Sequence, residues 1–386
     1  MTGLGDERAQ LRAAIDEADQ RLVDILAERR KLGESMGGLK AGRGQQVRDT
    51  EREREVIEHA VARGKELGLD SGYVEKIFQT IIDDSLRRQR AGLDARANQA
   101  LREARVAYLG GPGSYSHFAA LAHFEGRYSS LEPVIKRDFA AIFKAVDQGE
   151  AEYAFLPIEN TTTGAIVEVY DLMRDTPLKI AGEHHYKVEH CLVGKAKDAA
   201  SVKTVYGHSQ ALRQSQHYLS DHSEMRIQAV SSSTRALELA MDGDESVAAI
   251  ASADAARLFG LNIIRSDVSD HPENYTRFVA LARNPEPASP LLPCKTSIVF
   301  STSNQAGALL DALSGFKAEG INFTRLESRP IAGSPWEQLF FLDFEGHESE
   351  SKVGRALSVL RRYSVKVHNF GSYGADRLAP VSHEGA

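Results

Sequence analysis

The stretch LRAAIDEADQRLVDILAERRKLGESMGGLK, residues 11–40, has the spacing of one long amphipathic helix. Its apolar residues return at alternating steps of four and three, which predicts a helix with a single buried seam. Arg29 occupies that seam between Ile25 and Leu32. Because a buried cation costs several kcal/mol unless it is paired or meets an anion, Arg29 requires a partner.

Polar residues also interrupt the apolar faces elsewhere in this segment. Lys40 follows Arg29 on nearly the same helix face, about 16 Å further along the axis. The pattern predicts a second helix from about residue 47 to residues 64–68 and a third over residues 71–89. Their polar positions on or beside the apolar face are Asp49, Arg52, Glu53, Ser85 and Gln89. Two interpretations stay open, an anion-binding groove or a salt bridge from Arg29 to Asp49 or Glu53.

Composition limits the kind of protein. With 386 residues, the chain exceeds the size at which one hydrophobic core stops growing, about 250 to 300 residues, so several domains are expected. A net charge of -7 argues against general attraction to nucleic acid or anionic membranes. The two cysteines favour a reducing compartment, and the acidic start lacks the apolar core of a secretory signal. We therefore expect a cytoplasmic protein.

The pattern changes twice along the chain, which predicts three domains. Residues 1–95 are expected to be all-helical, and residues 105–283 alternate short apolar runs with helical patterns, as in α/β domains. After a proline-rich spacer, residues 295–375 follow the order strand, helix, strand, strand, helix, strand of a ferredoxin-like α+β domain. Three helices with short loops cannot easily enclose a core, so we expect a homodimer or a higher homo-oligomer.

Small hydroxyl residues stand at four predicted strand-to-helix junctions of the α/β domain. They lie at residues 113–116, 160–164, 231–234 and 252. Capping alone is the simpler interpretation for any one of them. Several in one domain favour a cleft that binds carboxylates through backbone N–H groups.

Metal and nucleotide sites are not predicted. His184, His185 and His190 lack carboxylate or cysteine companions at ligand spacing. The glycine loop at residues 110–113 lacks the following lysine of a phosphate-binding loop. The sequence therefore predicts an enzyme or binding protein that uses no metal and no cofactor.

Residues 11–89 resemble the all-helical chorismate mutases. The resemblance is carried by Leu11-Arg12, Ala27-Glu28-Arg29-Arg30, Lys40, Val47-Arg48-Asp49, Arg52-Glu53, Asp84-Ser85 and Gln89. It implies an intertwined dimer in which Arg29 and the partner subunit's Arg12 hold the two carboxylates of chorismate. A rearrangement of this kind needs no nucleophile, only a bound reactive conformer and donors for the charge that develops on the ether oxygen.

The same resemblance implies roles for the other polar residues of the segment. Lys40 and Gln89 would bond the ether oxygen of chorismate. Asp49 and Glu53 would bond its ring hydroxyl. The supporting residues would be Arg52 and Ser85.

Residues 105–282 resemble prephenate dehydratase. The resemblance is carried by residues 108–118, by PIENTTTGAI at residues 157–166 and by residues 274–278. It implies a two-lobed fold, similar to a periplasmic binding protein, that closes over prephenate. Thr276 would help to expel the ring hydroxyl, and Arg277 would either anchor a carboxylate or form a lobe salt bridge. The residues near the substrate would be Asn160, Thr161, Ser209 and Gln210.

The last block resembles the ACT regulatory domain that accompanies prephenate dehydratases. Residues 305–310 and 326–330 carry the resemblance. In that family the two strings form a phenylalanine pocket between subunits, which here would involve Gly307, Ala308, Leu309, Glu327, Ser328 and Arg329. The order of the three segments is similar to that of the bifunctional mutase–dehydratases of phenylalanine biosynthesis. It implies conversion of chorismate through prephenate to phenylpyruvate, with feedback inhibition by L-phenylalanine.

Three other functions fit parts of the pattern. One is a dehydratase whose helical module serves only for dimerisation. Another is a ligand-binding sensor with a binding-protein fold and an ACT domain. A mutase joined to a dehydrogenase would need a dinucleotide fingerprint, and the sequence has none.

Overall fold

The structure is a computed structural model that describes residues 3–42, 49–97, 103–290, 292–331 and 334–376. The chain divides into two compact units, the first built mainly from residues 1–99 and the second from residues 100–290 and 294–377. Within the described ranges, no helix is both long enough and apolar enough to cross a membrane.

The first unit contains three helices, α1 (Gly3–Gly42), α2 (Thr50–Glu66) and α3 (Ser71–Ala97). Helices α2 and α3 pack through a small core of Ile57, Val61, Val74 and Ile82. The seam of α1 was predicted to be buried, but in the single chain more than half of each of its large side chains is exposed. These are Leu11, Ile15, Leu22, Ile25, Leu32 and Met36. The described part of this unit therefore has too little core to cover its longest helix.

The second unit begins with two lobes. The sheet of the first lobe has the order β2-β1-β3-β11-β5, with β4 paired to β3. Its strands are β1 (Glu103–Leu109), β2 (Ser130–Lys136), β3 (Tyr153–Asn160), β4 (Gly164–Ala165), β5 (Lys179–Lys187) and β11 (Tyr275–Ala282). The sheet of the second lobe has the order β10-β6-β9-β7-β8. Its strands are β6 (Cys191–Gly194), β7 (Thr204–His208), β8 (Arg226–Val230), β9 (Val247–Ala251) and β10 (Asn262–Arg265).

The chain crosses between these lobes twice, from β5 to β6 and back from β10 to β11. The two crossing segments are joined by a hydrogen bond from the Val188 N–H to the Asn274 carbonyl at 2.7 Å. This is the two-lobed, binding-protein-like arrangement that the resemblance of residues 105–282 implies. It places the end of β3 and the start of β11 close to the crossing.

Seven α-helices flank the two sheets in the described residues. They are α4 (Tyr115–Phe124), α5 (Phe139–Asp147), α6 (Val167–Met173), α7 (Ser209–Arg213), α8 (Gln216–Asp221), α9 (Ser233–Asp242) and α10 (Ala253–Phe259). The hydroxyls of Ser114, Ser232 and Ser252 accept backbone N–H groups at the first turns of α4, α9 and α10. The predicted capping is confirmed at these three junctions, and carboxylate binding at them stays a prediction.

The rest of the second unit is a four-stranded antiparallel sheet with two helices, called here the third domain. Its elements are β12 (Cys294–Thr302), α11 (Ala308–Ala318), β13 (Phe323–Ile331), β14 (Ser334–Glu345), α12 (Ser351–Tyr363) and β15 (Ser364–Gly374). The sheet order is β13-β14-β12-β15, which leaves β13 at one edge. The chain order is the predicted strand, helix, strand, strand, helix, strand. Its sheet packs on the first lobe, where the Phe341 and Tyr170 rings lie 4.8 Å apart.

Candidate active sites

Arg29 lines a groove between α1 and α3. The groove has a volume of about 420 Å³, and its wall includes Leu26, Ile81 and Ser85. Small-molecule sites have volumes of roughly 300 to 1,000 Å³, so the groove is large enough for a small ligand. Burial lowers the pKa of Arg29, and no carboxylate among the described residues acts against that shift. The salt-bridge alternative for Arg29 is therefore not found in the described part of the chain.

A neighbouring arginine holds the two walls of this groove together. Arg30 Nε donates to Asp84 Oδ2 at 3.1 Å, and Arg30 Nη2 donates to Asp84 Oδ1 at 3.2 Å. Such a bidentate pair fixes the relative position of two planar groups. It joins α1 to α3 at the residue that follows Arg29.

Arg12 lies far from this groove within one chain. It is on the same continuous helix as Arg29, seventeen residues earlier, so the two are about 25 Å apart along the axis. No small dicarboxylate can span that distance. If Arg12 binds the same ligand as Arg29, it must come from another copy of the chain.

The other residues predicted for chorismate lie on α2 or beyond the described side chains. Asp49 caps α2, because its Oδ1 accepts the Arg52 backbone N–H at 3.0 Å. Arg52 Nη1 donates to Glu55 Oε2 at 2.7 Å, while Glu53 is buried with 8% of its surface exposed. The side chains of Lys40 and Gln89 lie outside the described residues.

A second site is formed where β3 ends beside the start of β11. Asn160 pairs in register with Thr276, and Asn160 is buried with 4% of its surface exposed. Its Oδ1 accepts the backbone N–H groups of Thr162 and Thr163, each at 3.0 Å. Because a backbone N–H can only donate, these two contacts fix the orientation of the Asn160 amide.

The amide orientation determines what the Thr276 hydroxyl can do. Asn160 Nδ2 donates toward Asn274 Oδ1 at 2.7 Å and toward Thr276 Oγ1 at 3.0 Å. Thr276 Oγ1 therefore accepts from Asn160, and its own hydrogen remains available for another acceptor. Thr276 is partly exposed, so that acceptor can be a bound molecule. The sequence did not identify Asn274 as a site residue, although it stands in the quoted string at residues 274–278.

The remaining residues predicted for prephenate are divided between the lobes. Thr161 Oγ1 bonds two backbone groups of residues 273–275, at 3.1 and 2.9 Å, so its hydroxyl is used inside the protein. Gln210, on α7 of the second lobe, places Nε2 3.5 Å from Thr163 Oγ1. Ser209 begins the same helix and is exposed. The structure thus brings Gln210 to the turn that Asn160 organises.

The glycine loop at residues 110–113 also contacts the second lobe. The Pro112 carbonyl accepts from Thr234 Oγ1 at 3.0 Å. Gly113 has a φ of +83°, and a Cβ there would lie 2.8 Å from the Phe259 ring. Close approach of the two lobes explains this glycine.

Arg277 lies on the opposite face of β11 from Thr276, because successive residues of a strand alternate. Its guanidinium donates to Glu183 Oε2 at 2.7 Å, Asp343 Oδ2 at 2.6 Å and Tyr373 Oη at 2.9 Å. Only 3% of Arg277 is exposed. This geometry favours the salt-bridge alternative over carboxylate binding. Its partners lie in the first lobe and in the third domain, not across the cleft as a link between the lobes.

Sequence reasoning missed the network around Arg277. Burial alone would raise the pKa of Glu183, but the charges of Arg277 and Lys295 outweigh it and lower that pKa to about 2. Lys295 Nζ lies 2.8 Å from Glu183 Oε1. One signal was present, since Asp343 interrupts the apolar run LFFLDFE at residues 339–345. A charge inside a buried strand requires a partner.

The residues predicted for phenylalanine lie at two places in the third domain. Gly307 precedes α11 with a φ of +84°, a conformation that favours glycine. Ala308 and Leu309 form the first turn of that helix. The others lie on the edge strand β13, namely Glu327, Ser328 and Arg329. The Arg329 guanidinium reaches Asp171 of α6 at 3.3 Å.

Comparison with known proteins gives matches to both sites. Residues 11–90 match the family model of chorismate mutase type II, and residues 106–286 match that of prephenate dehydratase. The bifunctional chorismate mutase/prephenate dehydratase of Escherichia coli strain K12 is 37% identical over 374 residues, covering 96% of this chain and 97% of that protein. The protein of that name from Aquifex aeolicus strain VF5 is 32% identical, covering 95% and 98%.

Solved structures resemble the second unit. The prephenate dehydratase of Arthrobacter aurescens in complex with L-Phe is 26% identical with a TM-score of 0.63, covering 72% of this chain and 94% of that chain. GqqA, described as a novel type of quorum quenching acylase, is 33% identical with a TM-score of 0.63, covering 70% and 98%.

Proposed function

This chain belongs to the family of bifunctional chorismate mutase/prephenate dehydratases, and we propose that it catalyses both reactions, chorismate to prephenate and prephenate to phenylpyruvate. We assign the mutase to residues 1–95, the dehydratase to residues 105–283 and an ACT regulatory domain to residues 295–375. The observation that carries the dehydratase assignment is the Thr276 hydroxyl, held by Asn160 with its hydrogen available. Membership of the family also makes phenylalanine biosynthesis the role of the protein.

In the mutase, the protein has to hold chorismate in its reactive conformer. We propose that Arg29 binds one carboxylate in the groove between α1 and α3, because a guanidinium matches a carboxylate in two parallel hydrogen bonds. Lys40 and Gln89 would stabilise the negative charge that develops on the ether oxygen. Glu53 and Asp49 would bind the ring hydroxyl, with Arg52 and Ser85 in support.

In the dehydratase, two bonds of prephenate break in one overall change. The bond from the ring to the carboxylate breaks, carbon dioxide leaves, and the electron pair completes the aromatic ring. The ring C–O bond breaks as well, and its electron pair leaves with the oxygen. The hydroxide so released takes a proton from solvent and becomes water. A threonine has no useful acidity, so Thr276 acts as a hydrogen-bond donor to the leaving oxygen in a site from which closure of the lobes excludes water. Gln210 and Ser209 contribute from the second lobe.

We further propose that L-phenylalanine inhibits the enzyme by binding to the third domain. The L-Phe complex of the Arthrobacter relative supports an effector of this kind. The site would use the start of α11 and the edge strand β13. Leu310 and Leu326, exposed by 73% and 44%, flank those two places and would be covered by a second copy of the chain.

We expect the chain to work as a homodimer, because α1 exposes the described large apolar residues of its seam and Arg12 is too far from Arg29. Ile15→Asp should therefore lower mutase activity at least about tenfold, since a buried unpaired charge opposes association. Dehydratase activity should stay near that of the parent protein. The measurement is both initial rates together with the molar mass by light scattering. Lys31→Asp is the matched control, because Lys31 is exposed and lies about 160° around α1 from Ile15. Mutase activity in Ile15→Asp within twofold of that control would contradict the dimer.

One experiment tests the proposed function as a whole. Purified protein is given chorismate, and prephenate and phenylpyruvate are followed by absorbance, with and without millimolar L-phenylalanine. We expect both products, and less phenylpyruvate in the presence of the amino acid. A protein that binds prephenate without consuming it would be a sensor, and one that makes phenylpyruvate only from added prephenate would be a dehydratase with a structural helical module.

A further inference from the structure

Glu159 touches arginines from two different parts of the second unit. Its Oε1 accepts from Arg277 Nη1 at 3.1 Å, and its Oε2 contacts Arg325 Nη1 of the edge strand β13. Glu159 directly precedes Asn160, and Arg277 directly follows Thr276. A single carboxylate therefore lies between the strands that carry the dehydratase site and the strand proposed to bind the effector.

Arg325 connects Glu159 to a second carboxylate, Glu327, on its own strand β13. Its Nη2 lies 3.4 Å from Glu327 Oε2, and its guanidinium stands 5.1 Å from the centre of the Tyr170 ring. The Arg325 side chain is only 12% exposed, and among the described residues its Nε has no hydrogen-bond partner. Arg325 thus shares its donors between Glu159 and Glu327 while one donor stays unsatisfied. A buried guanidinium with one unsatisfied donor changes its hydrogen bonds when either carboxylate changes its charge or position.

Apolar contacts and other ion pairs also join the third domain to the first lobe. Val299, Phe341 and Phe370 of the third sheet pack against Val169 and Tyr170 of α6. Close-packed apolar contacts of this kind transmit displacement but do not distinguish charge. Other ion pairs join the same two parts, among them Arg277–Asp343, Lys295–Glu183 and Arg329–Asp171. The Glu159–Arg325 pair differs from them because Arg325 also contacts Glu327, beside the proposed effector site.

We propose that Glu159 is a positioning residue that couples the effector site on β13 to Asn160 and Thr276, an inference that rests on the proposed inhibition by L-phenylalanine. An effector whose ammonium or carboxylate group engages Glu327 or its neighbours changes the pairing of Arg325 with Glu159. The pairing of Glu159 with Arg277 changes in turn. Because β3 and β11 are paired in register at Asn160 and Thr276, the donor geometry at the leaving hydroxyl changes with it.

The test is Glu159→Gln in the full-length protein, because glutamine keeps the shape and removes the charge. We expect the inhibition constant of L-phenylalanine for the dehydratase to rise at least about tenfold, a coupling loss of about 1.4 kcal/mol. The dissociation constant of L-phenylalanine, measured by calorimetry without substrate, should change less than about threefold. The matched control is Glu152→Gln, which removes a carboxylate paired with Arg105 at the other end of β3.

Each possible outcome supports or overturns the coupling role of Glu159. Inhibition of Glu159→Gln equal to that of the parent overturns the coupling role alone. If Glu159→Gln loses both L-phenylalanine binding and inhibition, Glu159 belongs to the effector site, and the coupling role is overturned. A parent protein that neither binds nor responds to L-phenylalanine overturns the proposed effector itself, which the parent measurements reveal before any variant is compared.

A second variant keeps the test valid if Glu159→Gln does not fold. Arg325→Gln acts on the other member of the pair and should weaken inhibition to a similar extent. If the two residues act through each other, the double variant should lose no more coupling than either single variant. Additive losses, in free-energy terms, would mean that the two residues act independently and that the proposed connection is wrong.

Discussion

Thr276→Val is expected to abolish most dehydratase activity while leaving the mutase intact. Valine keeps the branched shape of threonine and removes the hydroxyl that Asn160 holds at 3.0 Å. Loss of a donor to a leaving group or developing charge costs about 10² to 10³ in kcat. The decrease should appear in kcat more than in KM, because the hydroxyl is needed most when the C–O bond breaks. The measurement is phenylpyruvate formation from prephenate, beside prephenate formation from chorismate in the same preparation.

Thr276→Ser is the matched control, because serine restores the hydroxyl at the same position. It should recover most of the lost rate, within about tenfold of the parent, since only a methyl contact is missing. If the valine variant retained more than a tenth of the parent kcat, the hydroxyl could not be the donor to the leaving group. Asn160→Ala would be a poorer test, since it also removes the acceptor of the Thr162 and Thr163 N–H groups.

Local pattern was sufficient to predict the third domain. Helix α12 buries one face, with Val353, Ala356, Leu357 and Leu360. Strand β12 is buried on both faces, and its short apolar run rather than alternation predicted it. Strand β5, KIAGEHHYK, was not predicted, because Glu183, His184 and His185 give it no apolar alternation. The partners that allow these polar residues to be buried come from distant segments, namely Arg277, Lys295 and Asp376. Such long-range pairing cannot be found from a single window of sequence.

Some residues of the candidate sites could also be predicted from local pattern, whereas others could not. Helix phase alone drew attention to Arg29, whereas the roles of Asn160 and Thr276 depended on family resemblance. One result was available from elementary geometry, since Thr276 and Arg277 are neighbours in a strand and cannot both face the same cleft. The amide orientation of Asn160 required the structure, because it depends on two backbone N–H groups that only the folded turn brings together.

Arg29→Ala is expected to remove most mutase activity and to leave the dehydratase unchanged. The guanidinium lies in a half-buried groove, and the carboxylate that lines the same groove, Asp84, is paired with Arg30. No ion pair of Arg29 itself is found among the described residues. A bound carboxylate would therefore take its charge-assisted hydrogen bonds from Arg29. Truncating one member of such a desolvated pair costs about 3 to 5 kcal/mol, or a decrease of about 10² to 10³ or more in kcat/KM for chorismate. The measurement is the initial rate of chorismate loss.

Two control variants separate this effect from a loss of structure. Arg63→Ala removes an exposed cation whose salt bridge with Glu66 is worth at most about 1 kcal/mol, so mutase activity should stay near that of the parent. Arg29→Lys keeps the charge but not the planar fork, and it should recover only part of the lost rate. If Arg29→Ala kept the parent rate and instead lowered the thermal stability of the helical unit, Arg29 would be a structural residue. Its place on an otherwise apolar seam would then need an explanation other than an anionic substrate.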